Sequence, residues 1–160
     1  MKALPARPGF IETYGAGRPQ VVWTTLVSDL ETPVSAMIKL ADGQKNCFLL
    51  ESVTGGEVRG RYSFIGLKPD LIWRCRRDKV EINRRARFDA QAFEPTDEPP
   101  LQALRGLLAE SRIDLPAELP PMAAGLFGYL GYDMVRLIER LPDDNADMLG
   151  IPDADRKSVV

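Results

Sequence analysis

Phe48-Leu49-Leu50-Glu51-Ser52, followed by Gly55-Gly56-Glu57 and then by Gly60-Arg61-Tyr62-Ser63-Phe64-Ile65-Gly66, decides how the rest of this chain is read. An apolar run bounded by turn residues predicts a buried strand. The Glu-Ser pair at its end then falls at the rim of a core, where a strand can deliver polar groups to a ligand. On pattern alone, the commoner meaning of such a pair is a strand meeting its turn. Gly55-Gly56 is not a phosphate loop, since no Gly-Lys-Ser or Gly-Lys-Thr follows it.

Upstream of this stretch, residues 21–27 are β-branched and aromatic and predict a strand. Thr32 then caps a helix with Pro33 at its first position, and Val34, Met37, Ile38 and Ala41 recur at helical spacing before Gly43. The strand of the Phe48 to Ser52 stretch is expected over 46–53, with 62–66 as its short continuation. Leu71, Trp73 and Cys75 alternate with Ile72, Arg74 and Arg76, and Val80 and Ile82 alternate again, which predicts a half-exposed hairpin. Arg84, Arg85 and Arg87 extend its polar face. With no aromatic residue interleaved among them, they read as a solvated edge guarded against strand addition.

Further on, Pro95, Pro99 and Pro100 mark a surface connection, and Leu101, Leu104, Leu107 and Leu108 form one face of a helix. Gly125, Gly128 and Gly131 punctuate an apolar, aromatic run in which glycine signals close backbone approach rather than a dinucleotide fingerprint. Asp133 is expected to cap a last α-helix carrying Met134, Leu137, Ile138 and Leu141. Strands mixed with a few helices, without βαβ alternation, predict an α+β fold with a largely antiparallel sheet and a few packed helices.

The chain has 160 residues, 44% of them hydrophobic, enough for about one domain with its own core. A net charge of −2 gives no reason to expect a nucleic-acid or anionic-membrane partner, and no apolar run is long enough to span a bilayer. A cytoplasmic location is expected. Cys47 and Cys75 are too few and too far apart for a metal site or disulfide framework and are expected to be free. The sequence contains no His, which removes Ser-His and Cys-His nucleophile pairs and imidazole ligands from consideration.

Three blocks in order, Ser28-Asp29-Leu30-Glu31-Thr32-Pro33-Val34-Ser35, the Phe48 to Gly66 stretch, and Gly125-Leu126-Phe127-Gly128-Tyr129-Leu130-Gly131-Tyr132-Asp133 with Val135-Arg136, resemble anthranilate synthase component I of the chorismate-utilising enzymes. The resemblance is to the amino-terminal portion only. It divides the chain into an irregular lead-in over 1–20, the family's amino-terminal domain over 21–154, and an atypical tail over 155–160, where polar residues replace an expected apolar strand.

That resemblance implies an enzyme making anthranilate and pyruvate from chorismate and ammonia, the ammonia supplied from glutamine by an amidotransferase subunit, component II. It places the Mg²⁺ site and the catalytic groups in a portion not present here. No cofactor and no catalytic residue are therefore expected in this chain, which alone is expected to be inactive. In the family the amino-terminal portion holds the feedback site for tryptophan, and the matching positions here are Leu50, Glu51, Ser52 and Arg61. Glu51 suits the ammonium, Ser52 a hydrogen bond, Arg61 loop order or positive potential, and Leu50 the wall of an indole slot. Self-association of the chain is also expected. The corresponding portion of aminodeoxychorismate synthase component I and a free-standing binding module are the alternatives.

Overall fold

The computed structural model describes residues 2–51, 62–142 and 146–159. Its elements run α1 (Arg7–Gly15), α2 (Pro33–Ala41), β1 (Phe48–Leu50), β2 (Phe64–Gly66), β3 (Ile72–Arg76), β4 (Lys79–Asn83), β5 (Glu94–Thr96), α3 (Pro100–Glu110), β6 (Gly125–Leu130), a 3-10 helix (Tyr132–Leu137) and β7 (Ala154–Val159). All strand pairs are antiparallel, in one two-stranded and one five-stranded sheet, so the fold is α+β as expected. The chain divides into two units: Met1–Lys68 with Ile113–Ala124, and Pro69–Arg112 with Gly125–Val159.

The second unit is built on the five-stranded sheet, in the order β5-β4-β3-β7-β6. The period-2 pattern puts Trp73 and Cys75 of β3 on one face, opposite Ile82 and Val80 of β4. α3 lays Ala103 and Leu107 on that face, and Met134 of the 3-10 helix and Ala154 of β7 complete the core. Trp73 and Cys75 are fully buried. Both cysteines are free. The Cys75 Sγ donates to the Arg77 carbonyl at 3.1 Å, and burial pushes this thiol up to about 11.

Several expectations are corrected here. Residues 21–27 do not form a strand; only Trp23 pairs, exchanging two backbone hydrogen bonds with Leu4. Asp133 caps no α-helix. It accepts from Arg136 Nε at 2.9 Å within the 3-10 helix, and Arg136 Nη1 donates onward to the Leu141 and Pro142 carbonyls, pinning the chain after the helix instead of continuing it. The hairpin of β3 and β4 is not an edge, because β7 flanks one strand and β5 the other.

Residues 7–15 of the lead-in are helical. Polar residues of the atypical tail enter β7, an inner strand of the sheet. Ladder bonds to two neighbours outweigh their low strand preference. Asp155 and Lys157 pair with each other on one face, while Arg156, on the Trp73 face, donates to the Gly128 carbonyl at 3.3 Å.

Candidate functional site

The stretch that opened the sequence reading lies in the first unit. Asn46 adopts φ +60, and the Cys47 Sγ donates to the Gln44 carbonyl at 3.2 Å, turning the chain into β1. β1 and β2 pair with Phe48 opposite Gly66, Leu49 opposite Ile65 and Leu50 opposite Phe64. The expected continuation of the strand is thus its antiparallel partner. A Cβ at Gly66 would fall on the Phe48 ring, so glycine lets that ring lie across β2 as it does here.

α2 packs on both strands. Its start is a reciprocal cap: Thr32 Oγ1 accepts from the Ser35 amide at 3.1 Å, and Ser35 Oγ accepts from the Thr32 amide at 2.9 Å. Ser35 Oγ also donates to Glu31 at 2.8 Å, and Lys39 pairs with the same carboxylate. Lys39 first and Ser35 second hold the Glu31 carboxyl below its usual range. Much of the Ser28 to Ser35 block is therefore accounted for by starting a helix.

Leu50 ends β1 with 43% of its surface exposed, and Glu51 follows it into solvent. Glu51 makes no hydrogen bond or ion pair among the described residues. Ser52 and Arg61 lie outside the described residues, so the structure brings together Leu50 and Glu51 of the four expected site residues. Phe64, the cross-strand neighbour of Leu50, and Tyr62, whose ring centroid lies 6.0 Å from that of Phe64, border the same strand end. Neither was singled out from sequence, because the hairpin register is what brings them there. Among the described residues, the end of β1 offers apolar side chains and a carboxylate, chemistry suited to a small cationic or zwitterionic ligand with an apolar part.

The third block lies in the second unit and has a structural explanation. A Cβ at Gly128 would collide with the Asp155 carbonyl, and one at Gly131 would lie 2.8 Å from the Asp153 carbonyl oxygen, so both glycines permit the close approach of β6 to the β7 segment. Tyr129 Oη donates to the Pro152 carbonyl at 2.7 Å. Among the described residues no group of three His, Cys, Asp or Glu could hold a metal ion, and no helix is long and apolar enough to cross a membrane.

No family model matches the chain. It is 61% identical over 145 residues to "Anthranilate synthase component 1" of Cereibacter sphaeroides, covering 91% of this chain and 29% of that protein. The proteins of the same name from Mycolicibacterium smegmatis and Mycobacterium tuberculosis are 41% identical over 130 residues and 38% identical over 156 residues; they cover 80% and 96% of this chain and 24% and 30% of their own lengths. The match is to an amino-terminal part, so the chain spans less than a third of the curated relatives it resembles.

Proposed function

We propose, from the premise that the chain belongs to the anthranilate synthase component 1 family as an amino-terminal portion, that it is the part which senses tryptophan. The whole enzyme would convert chorismate and glutamine-derived ammonia to anthranilate and pyruvate, with component II as the ammonia-supplying partner. Mg²⁺ and the reacting groups belong to the portion beyond this chain, and no step is assigned to residues here. The shared name of the relatives favours this reading over the corresponding part of aminodeoxychorismate synthase component I.

The observation that carries the site is exposed Leu50 next to Glu51, which has no partner among the described residues, at the end of β1. A free amino acid needs a carboxylate for its ammonium and an apolar surface for its indole, and Leu50 and Glu51 supply one of each. Ser52 would add a hydrogen bond and Arg61 positive potential from the turn that follows. Each charge-assisted hydrogen bond made as the ligand closes the site is worth about 1.5–3 kcal/mol, roughly tenfold or more in affinity.

The test joins this chain to the remainder of the Cereibacter sphaeroides relative and measures anthranilate formation against tryptophan concentration. Ser52→Arg should shift the inhibition curve at least about tenfold to higher tryptophan with turnover largely intact. An unchanged curve, with stability and activity falling together, would reduce Ser52 to the end of a strand. The chain by itself should form no anthranilate from chorismate, Mg²⁺ and ammonia.

A further inference from the structure

The three arginines after β4 no longer have an edge to guard. β4 is paired on both sides, so Arg84, Arg85 and Arg87 stand on the turn beyond it. That turn is firmly constructed. Asn83, fully buried, accepts from the Arg85 amide at 2.9 Å through Oδ1 and donates from Nδ2 to the Asp89 carbonyl at 2.7 Å, while the Ala86 amide reaches the Asp70 carbonyl at 3.2 Å. A fully desolvated amide side chain is thus spent on holding a surface turn in one shape.

The turn presents Phe88, 88% exposed, beside Arg85 and Arg87. Arg84 is already paired with Glu110 at 2.8 Å, whereas Arg85 and Arg87 have no acidic partner among the described residues. Elsewhere on this unit an arginine and a phenylalanine satisfy each other, with the Arg74 guanidinium 3.5 Å from the centre of the Phe93 ring and paired with Glu81. The turn has the same residue types with no counterpart.

We propose that the 84–88 turn is a docking point for an acidic polypeptide, whose carboxylates meet Arg85 and Arg87 and whose apolar side chain covers Phe88. Arginine and aromatic residues together are the usual anchors of protein interfaces, and a turn fixed in advance loses little entropy on binding. A nucleic acid fits less well. Its affinity comes from neutralising many phosphates, and two unpaired guanidiniums on a chain of net charge −2 cannot do this.

The test uses the 160-residue chain and fluorescence anisotropy with a short labelled peptide of Asp and Glu bearing one central Trp. A matching Lys peptide and a single-stranded oligonucleotide of equal length serve as the other arms. The acidic peptide should bind, with affinity falling as salt rises; Arg85→Glu with Arg87→Glu should weaken it by about tenfold or more, and Phe88→Ser by about threefold to fivefold with the salt dependence kept. Both variants change exposed side chains, and an unaltered near-ultraviolet Trp signal confirms that the sheet is intact. No peptide binding, binding that survives both variants, or tighter binding of the oligonucleotide would each overturn the proposal.

Discussion

Both units of the chain lay a helix on antiparallel strands, yet among the described residues the buried hydrophobic core lies in one of them. In the sheet unit, α3 covers Trp73, Cys75 and Val80 with Ala103 and Leu107, and every buried hydrophobic residue among those described belongs to it. In the hairpin unit, α2 packs on β1 and β2 but buries none of its residues; Val34 and Ile38, one turn apart, are 49% and 69% exposed. The difference teaches that helical apolar spacing specifies a face without specifying that anything covers it. The buried hydrophobic side chains among the described residues lie in the sheet unit, and Leu50 and Glu51 lie in the unit whose helix leaves apolar side chains exposed.

The contrast is most sharply broken or upheld at Trp73. Trp73→Ala removes the largest fully buried side chain and should cost about 3–5 kcal/mol in denaturant unfolding, enough to lose the sheet unit altogether. Trp73→Phe should cost much less, because it keeps most of the volume and also removes a buried indole N–H that has no hydrogen-bond partner among the described residues.

The matching substitution in the hairpin unit is Ile38→Ser. With the side chain already in solvent it should change stability by no more than about 0.5 kcal/mol and should lower self-association in sedimentation velocity, since an exposed apolar stripe is what invites it. A loss comparable to that at Trp73 would erase the distinction between the units.

Smaller again is the cap of α2. Thr32→Ala should cost about 1 kcal/mol, read as lost helical signal in circular dichroism. The same helix should loosen slightly in acid. Glu31 has its pKa lowered on folding by Lys39 and Ser35, so the stabilisation is present above its unfolded value of 4.5 and fades as pH falls through the lower folded value. The Lys39–Glu31 pair lies at the surface, where solvent and salt screen it, so the pH effect is the smallest of these.

The sheet unit was largely legible in the sequence, and the hairpin unit only in part. Alternation through Trp73, Cys75, Val80 and Ile82 predicted β3 and β4 because the first three side chains are buried on one face and Ile82 packs partly buried beside them. Residues 21–27 have strand composition, but outside the Leu4 bridge they find no strand partner among the described residues, and composition cannot supply one. β7 was missed for the opposite reason: Asp155, Arg156 and Lys157 look unlike an inner strand, and their pairing depends on neighbours distant in sequence. Leu50 and Glu51 could be placed at a strand end from the residues alone, while the nearness of Phe64 and Tyr62 required the register.

The proposal that tryptophan acts at the hairpin unit and not at the sheet unit is tested most directly by hydrogen exchange on the joined full-length enzyme with and without tryptophan. Phe48–Leu50 and Phe64–Gly66 should gain protection when tryptophan is added, and Ile72–Arg76 with Lys79–Asn83 should remain unchanged. Protection that rises in β3 and β4 but not in β1 and β2, or that rises nowhere, would contradict it.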